Sequence, residues 1–163
     1  MPRTSAGILM YRFDGKRLRV LLAHPGGPFW RHRDDGAWSV PKGEAGIGET
    51  PEQAARREFE EELGAPVVGP LTPLGRIRQR GGKWVDAFAV EGDFDVGSLC
   101  SNEFQLEWPP RSGKMVSFPE VDRAAWFSPA EARRRILPSQ QVLIDRLQAL
   151  LAPPETRNDG GDA

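Results

Sequence analysis

Short runs of apolar residues, separated by turn-forming residues, predict a series of β-strands interrupted by one helix and closed by another. Before the first helix, two such runs flank Asp14-Gly15, a pair typical of a hairpin turn. After that helix, two further runs flank Gly81-Gly82, which predicts a second strand pair. The predicted strands cover residues 5–12, 18–23, 37–40, 71–80, 84–90, 103–108 and 124–127.

Residues 51–63 carry the start and stop signals of a helix. Thr50 offers an N-cap hydroxyl, Pro51 suits the first helical position, and Gln53 can close a capping box. Gly64 suits the left-handed conformation that ends many helices. The apolar side chains expected to pack on a sheet are Ala55, Phe59 and Leu63.

Apolar residues recur at helical spacing in residues 139–151 and predict the closing helix, and Ser128 is a further predicted N-cap. Strands on both sides of one helix, followed by a closing helix, predict an α/β sandwich with a mixed sheet. The length of 163 residues and the hydrophobic content of 39% fit one domain. We expect this domain to span residues 1–151 and the tail, residues 152–163, to be disordered.

Three carboxylates share one side of the first predicted helix. Glu58, Glu61 and Glu62 fall within an arc of about 100°, next to the apolar stripe. Such like charges repel one another, and a hard divalent cation such as Mg²⁺ or Mn²⁺ would reverse the sign of that interaction. The alternative is a solvated acidic face with ordinary ion pairs between neighbouring turns. The spacing to a preceding glycine loop favours the metal site.

The same carboxylates stand in a longer pattern that begins at Gly43 and ends at Gly64. The pattern is glycine, five residues, glutamate, seven residues, arginine-glutamate, an apolar residue, any residue, two glutamates, any residue and glycine. It resembles the signature of Nudix hydrolases at every specified position but the last, where Ala65 replaces a bulkier aliphatic residue. This resemblance implies an α/β/α sandwich with a mixed sheet. It also implies hydrolysis of a nucleoside diphosphate linked to another group, by attack of water on phosphorus.

The resemblance assigns roles to the signature residues. Glu58 and Glu62 are expected to be metal ligands, the Gly43 carbonyl an additional ligand, and Glu61 either a third ligand or the base that deprotonates water. Arg57 is counted with the catalytic set in a supporting role, because it is expected to form a salt bridge that orients loop and helix. Its expected partner is Glu49.

Glu120 is a catalytic candidate outside the signature, six residues before Trp126-Phe127. In Nudix enzymes that act on dinucleoside polyphosphates, a glutamate at a similar spacing before such a pair supplies a metal ligand or a base. The competing interpretation is a surface glutamate. Glu103 and Glu107 are the other acidic residues that could take the role.

Basic and aromatic residues near the signature are candidates for substrate binding. Lys42 precedes the glycine of the signature and could reach a phosphate, as the Pro-Lys-Gly sequence resembles diadenosine and diphosphoinositol polyphosphate hydrolases. The alternating Arg76, Arg78 and Arg80 could bind distal phosphates or form a solvated strand face. For the aromatic pair Phe29-Trp30 we expect core or loop packing, with base stacking as the alternative.

Charge and composition limit the possible partners. A net charge of −1 makes nucleic acid an unlikely partner and gives no attraction to anionic membranes. No apolar run is long enough to cross a bilayer, the start of the sequence lacks a signal-peptide profile, and Cys100 is the single cysteine. We expect a cytoplasmic enzyme acting on a small nucleotide, either a dinucleoside polyphosphate or a nucleoside triphosphate. A regulatory module without turnover and an RNA-end processing enzyme are the alternatives, and the oligomeric state stays open.

Overall fold

The computed structural model describes residues 4–79 and 81–152, and a mixed sheet forms its centre. In these residues a hairpin opens the chain, a short strand leads into the first helix, and two helices follow the last strand. The strands are β1 (Thr4–Asp14), β2 (Arg17–Pro25), β3 (Lys42–Glu44), β4 (Thr72–Arg78), β5 (Trp84–Glu91), β6 (Glu103–Glu107), β7 (Met115–Pro119) and β8 (Val121–Phe127). The helices are α1 (Pro51–Leu63), α2 (Pro129–Arg135) and α3 (Gln141–Leu151).

The main sheet has the strand order β4-β5-β1-β2-β8, and β3 pairs with β1. The central strands β1 and β5 run parallel, whereas the other pairs are antiparallel. The strands β6 and β7 form a separate two-stranded sheet. The predicted mixed sheet is therefore confirmed. The short strand β3 joins this sheet beside the start of β1.

The sheet buries one apolar core on each face. On one face, α1 packs through Ala54, Ala55, Phe59 and Leu63. On the other face, α3 packs through Leu143, Ile144 and Leu147. Because successive side chains of a strand point to opposite faces, β1 contributes Ile8 to the first core and Leu9 to the second. The predicted α/β/α sandwich is confirmed.

The sequence signals around α1 are realised in the structure. The Thr50 side chain accepts a hydrogen bond from the Gln53 backbone at 3.1 Å, and the Gln53 side chain accepts one from the Thr50 backbone at 3.0 Å. Gly64 is left-handed at φ 88°, and its N–H donates to the carbonyl of Glu60. A Cβ at residue 64 would also come within 2.6 Å of the Cys100 carbonyl oxygen. Both helix ends are therefore fixed by local chemistry.

The strand predicted at residues 37–40 is wrong, because those residues form only isolated bridges and the strand is β3. Their backbone bonds are divided between two neighbours: Ser39 exchanges bonds with Ala23, whereas Trp38 donates to Arg135 at 2.9 Å and accepts from Leu137 at 2.8 Å. Trp38 is 3% exposed, so this segment is a buried connector between the sheet and the α2–α3 junction.

Smaller differences concern the second half of the chain. The strand β7 was not predicted, and β8 begins at Val121, three residues before the predicted strand. Cys100 is exposed. Most of the expected disordered tail, residues 153–163, lies outside the described residues, as does Arg80. No helix in the described part of the chain has the length and apolar character needed to cross a membrane.

Candidate active site

The candidate site is built where β3 passes into α1. Gly43 lies in β3 against the side of α1, and a Cβ added there would overlap the carboxylate carbon of Glu58. The glycine of the signature is therefore required by close packing: only a residue without a side chain lets the Glu58 carboxylate lie against this backbone. The arrangement places the Gly43 main chain next to a carboxylate, as the resemblance implied.

Arg57 ties the loop to the helix. Its Nε and Nη2 donate to the two carboxylate oxygens of Glu49 at 2.6 and 2.9 Å, and Nη2 also donates to the Glu44 carbonyl at 3.0 Å. The Gly46 N–H donates to the same Glu49 carboxylate at 2.7 Å. Arg57 first and Gly46 second lower the pKa of Glu49 to about 2. The salt bridge expected between Glu49 and Arg57 is present.

The same guanidinium also contacts the carboxylate cluster. Nη1 of Arg57 donates to Glu58 at 2.9 Å and to Glu61 at 3.2 Å. The Glu58 side chain is only 13% exposed, whereas that of Glu61 is 39% exposed. Burial raises the pKa of Glu58, and Arg57 opposes this by stabilising the ionised form. Of the two carboxylates, Glu58 lies deeper and Glu61 remains open to solvent.

Glu62 is the most perturbed carboxylate of the site. Burial, followed by the negative charge of Glu58, raises the pKa of Glu62 from 4.5 to about 8. The Lys42 ammonium and a hydrogen bond from the Lys42 backbone act in the opposite direction. Burial in turn lowers the pKa of Lys42. An ionised Glu62, partly removed from water and next to the negative charge of Glu58, is favourable only if cations share the site.

A cavity of about 200 Å³ is lined both by residues of this site and by residues far away in sequence. Glu62 and Lys42 line it together with Glu120, which lies between β7 and β8. Desolvation and the charge of Glu61 raise the pKa of Glu120. The structure therefore brings Glu120 to the signature carboxylates. Glu103 and Glu107, the sequence alternatives to Glu120, lie in β6 and do not line this cavity.

A chain of backbone hydrogen bonds fixes Glu120 relative to α1. The Asn102 N–H donates to the Glu61 carbonyl at 2.9 Å, and the Asn102 carbonyl accepts from the Glu120 N–H at 2.8 Å. The Glu120 carbonyl then accepts from the Gly26 N–H at 2.9 Å. Sequence reasoning missed Asn102 because its contribution is made through the main chain, which leaves no signal in the residue type.

The donor set suits a hard divalent cation. Glu58, Glu61, Glu62 and Glu120 supply carboxylate oxygens and Gly43 a carbonyl, the ligand types that Mg²⁺ and Mn²⁺ prefer. Within residues 4–79 and 81–152, however, no three acidic, His or Cys side chains are already placed around one point. Arg57 pairs with two of these carboxylates, Glu58 and Glu61. A carboxylate has several acceptor lone pairs, so this pairing is compatible with a cation bound to the same groups.

The predicted substrate-binding arginines occupy different places. Arg76 pairs with Asp86 at 2.9 Å on the sheet surface. Arg78 lines a separate cleft, and its guanidinium lies 5.4 Å from the Trp84 ring. Neither lines the carboxylate cavity, in which Lys42 is the basic residue. Binding of phosphate by Arg76 and Arg78 therefore stays a prediction, and for Arg76 the solvated-face alternative fits its ion pair.

The aromatic pair of the β2–β3 loop divides between two roles. Phe29 is 61% exposed and meets Trp108 edge to face, with ring centroids 5.4 Å apart. Trp30 instead lines both the carboxylate cavity and the cleft that contains Arg78. Phe29 therefore packs against a residue of the β6–β7 connection, whereas Trp30 faces space that a ligand could occupy.

Comparison with known structures gives the same fold. A Caenorhabditis elegans Ap4A hydrolase in a binary complex matches with a TM-score of 0.64 and 20% identity, covering 91% of this chain and 98% of that one. The NUDIX domain of Shewanella oneidensis NrtR, complexed with ADP ribose, matches with a TM-score of 0.63 and 17% identity, covering 93% and 90%. The Nudix hydrolase RenU from M. smegmatis matches with a TM-score of 0.55 and 23% identity, covering 90% and 84%. At these identities the likeness establishes the fold.

The family is established by sequence. The NUDIX domain matches residues 1–147, which include the signature loop, α1 and Glu120. This match confirms the resemblance inferred from the signature and the enzyme class that it implied. The chain belongs to the NUDIX family.

Proposed function

We propose that this protein hydrolyses a phosphoanhydride bond of a nucleoside diphosphate linked to a further group, with Mg²⁺ or Mn²⁺ as cofactor. The substrate class we favour is a dinucleoside polyphosphate or a nucleoside triphosphate. The observation that supports this most is the meeting of Glu62 and Glu120, both with raised pKa values, around one cavity that Lys42 also lines. Glu58, whose charge raises the pKa of Glu62, lies next to this pair.

Each side chain has a part that follows from its position. Glu58, Glu62 and the Gly43 carbonyl would hold the cation, with Glu61 as a further ligand. When bound, a divalent ion neutralises phosphate charge and makes coordinated water more acidic. Lys42 lines the cavity that Glu62 and Glu120 share, and its ammonium group could bind a phosphate oxygen there.

Glu120 is the base that the geometry favours for the attacking water. No hydrogen bond or ion pair engages its side chain in the described part of the chain, and its raised pKa brings it closer to neutrality. Glu61, the alternative base, is paired with Arg57. In the reaction, the water oxygen bonds to phosphorus, its proton passes to the carboxylate, and the bond from phosphorus to the bridging oxygen breaks. The released phosphate carries that bridging oxygen.

A nucleotide panel tests this function. Purified protein is incubated with dinucleoside polyphosphates, nucleoside triphosphates and ADP-ribose, with Mg²⁺ or Mn²⁺, and the products are identified by mass. Reaction in ¹⁸O-labelled water identifies the phosphorus that is attacked. We expect two phosphorylated products from each cleaved substrate and one label per turnover. Absence of any product with both metals would refute the proposal.

A nucleotide-binding module without turnover is the second candidate. It is favoured by the contacts of Arg57 to Glu58 and Glu61, which engage two would-be ligands with a guanidinium. The matched NrtR domain was solved with ADP ribose, so this ligand is the natural probe. Binding of ADP-ribose without hydrolysis, in the presence of either metal, would support the module over the enzyme.

The same proposal includes the binding partner and the cellular location of the protein. A small nucleotide is the proposed partner, and a cytoplasmic location stays a prediction. Processing of RNA ends is less favoured, because a net charge of −1 provides little attraction for a phosphate backbone. Retention of the protein on an RNA oligonucleotide at low salt and its loss at high salt would favour RNA instead.

A further inference from the structure

A second cavity of about 940 Å³ adjoins the carboxylate cavity, and we call it the Trp30 cleft. Trp30 and Leu137 line both cavities, while Pro138 and Ser139 continue the wall of the cleft. The polar groups on its lining include Arg33 and Arg78. A largely apolar cleft of this size with a few convergent polar groups is typical of small-molecule sites.

Trp30 is held on an anchored turn. The Trp30 carbonyl accepts from the Arg33 N–H at 2.9 Å, and the Arg33 carbonyl lies 2.6 Å from Nε2 of the fully buried His24. At the start of the loop, Gly26 packs so closely that a Cβ would overlap the Pro119 carbonyl oxygen. These contacts fix the loop at both ends of the segment that carries Trp30. The backbone is therefore anchored on both sides of the residue that carries the indole.

The basic residues of the cleft have no acidic partner. Within the described residues, no carboxylate lies within 4 Å of the guanidinium of Arg33 or Arg78, and both side chains are exposed. Arg33 lies 5.7 Å from the Trp30 ring centroid, and Arg78 lies beside Trp84. By contrast, Arg76 on the same strand is neutralised by Asp86. The cleft therefore combines an aromatic wall with uncompensated positive charge.

We infer that the Trp30 cleft is the subsite for a nucleoside 5′-phosphate portion of the substrate, with the base against Trp30 and the phosphate at Arg78. This inference rests on the proposed function, since the adjoining carboxylate cavity would then act on the phosphates that lead away from the bound nucleoside. It identifies Trp30 and Arg78 as the residues that would select substrates carrying a nucleoside 5′-phosphate. Diphosphoinositol polyphosphates, which lack a base, would be poor substrates.

Binding of AMP and ribose 5-phosphate to the full-length protein in EDTA tests the cleft by calorimetry. Stacking of a base on an aromatic side chain is worth about 1–3 kcal/mol, which corresponds to roughly 5- to 150-fold in affinity. We expect AMP to bind at least about tenfold more tightly than ribose 5-phosphate. Equal affinities of the two ligands in the unmodified protein would overturn the inference without any variant.

Single substitutions test whether AMP and ribose 5-phosphate bind in the Trp30 cleft. Trp30→Ala should reduce the affinity for AMP to that for ribose 5-phosphate, and Trp30→Phe, which keeps an aromatic ring, should retain most of it. Phe29→Ala, at the neighbouring exposed position, is the matched control and should leave the affinity unchanged. Arg78→Gln should weaken both ligands alike, about tenfold, because it removes a phosphate contact. If Trp30→Ala weakens AMP but Arg78→Gln and Arg33→Gln do not, the base occupies the carboxylate cavity and the inference is wrong.

The binding assay contains no metal, so its outcome is separate from that of the hydrolysis assay. Hydrolysis of nucleotides together with equal binding of AMP and ribose 5-phosphate would overturn the assignment of the cleft as the nucleoside subsite. The proposed function would stand. Binding of AMP that depends on both Trp30 and Arg78, without hydrolysis of any nucleotide, would support the cleft as the nucleoside subsite and overturn the hydrolytic function. A diphosphoinositol polyphosphate hydrolysed as well as a dinucleoside polyphosphate would contradict the inference directly.

Discussion

Replacement of Glu62 by Gln should reduce the dependence of stability on pH in the metal-free protein. Burial and the charge of Glu58 raise the pKa of Glu62 from 4.5 to about 8. The folded protein therefore holds this proton more tightly than the unfolded chain does. The resulting stabilisation is complete below the unfolded value of 4.5 and is lost as the pH rises toward about 8.

The size of this loss of stability follows from the interval between the pKa of Glu62 in the unfolded chain and the pH of the measurement. Between the unfolded pKa and pH 7 lie about 2.5 pH units, and at about 1.4 kcal/mol per unit the loss is about 3 kcal/mol. This is an upper limit, because the site is open to water on one side, which screens the charge. Glu58 and Glu120 also have raised pKa values, so the variant should retain part of the slope.

Denaturation by guanidinium, in EDTA and at pH values from about 5 to about 8, measures the effect. Between about pH 5 and pH 7, the unmodified protein should lose up to about 3 kcal/mol, and Glu62→Gln less than half of that amount. Glu60→Gln is the matched control, because Glu60 is exposed on the same helix. Its slope should equal that of the unmodified protein.

Metal completes the test. Mn²⁺ at about 100 times its dissociation constant should stabilise the unmodified protein by about 2.7 kcal/mol and flatten the pH dependence above neutrality. The stabilisation should be much smaller in Glu62→Gln. If the stability of the metal-free protein stays constant or rises between about pH 5 and pH 8, Glu62 is not a desolvated carboxylate facing a second charge, and the reasoning fails.

Three further predictions concern the site. Gly43→Ala should weaken Mn²⁺ binding by at least about tenfold, measured by electron paramagnetic resonance of free Mn²⁺, because the new methyl group overlaps the Glu58 carboxylate; unchanged binding would contradict the packing argument. Glu120→Gln should lower kcat by about 10²- to 10⁴-fold and abolish the acidic limb of the pH–rate profile. The control Glu103→Gln, in β6, should change neither. If both variants had the same effect on kcat, Glu120 would not be the base. Arg57→Lys should lower kcat by about 10-fold or more, since lysine cannot make the bidentate pair with Glu49, and full activity would show that this pair is dispensable.

Much of the fold was accessible from sequence because its signals are local. Thr50, Gln53 and Gly64 act within one turn of the helix ends, so the bounds of α1 could be read without knowledge of the rest of the chain. The period of apolar residues placed the hairpins and α3 for the same reason. The strand predicted at residues 37–40 failed because the buried Trp38 is paired with the α2–α3 junction, a partner about one hundred residues away.

The sequence by itself determined the family, the helix that carries the carboxylates, and the pairing of Glu49 with Arg57, because all of these lie within one short segment with fixed spacing. Only the tertiary structure decided that Glu120 joins them, since the link runs through main-chain bonds of Asn102. It also decided that Trp30 lines both the carboxylate cavity and the neighbouring cleft that contains Arg33 and Arg78. Main-chain bonds and cavities depend on how distant segments pack, and residue type alone does not encode that packing.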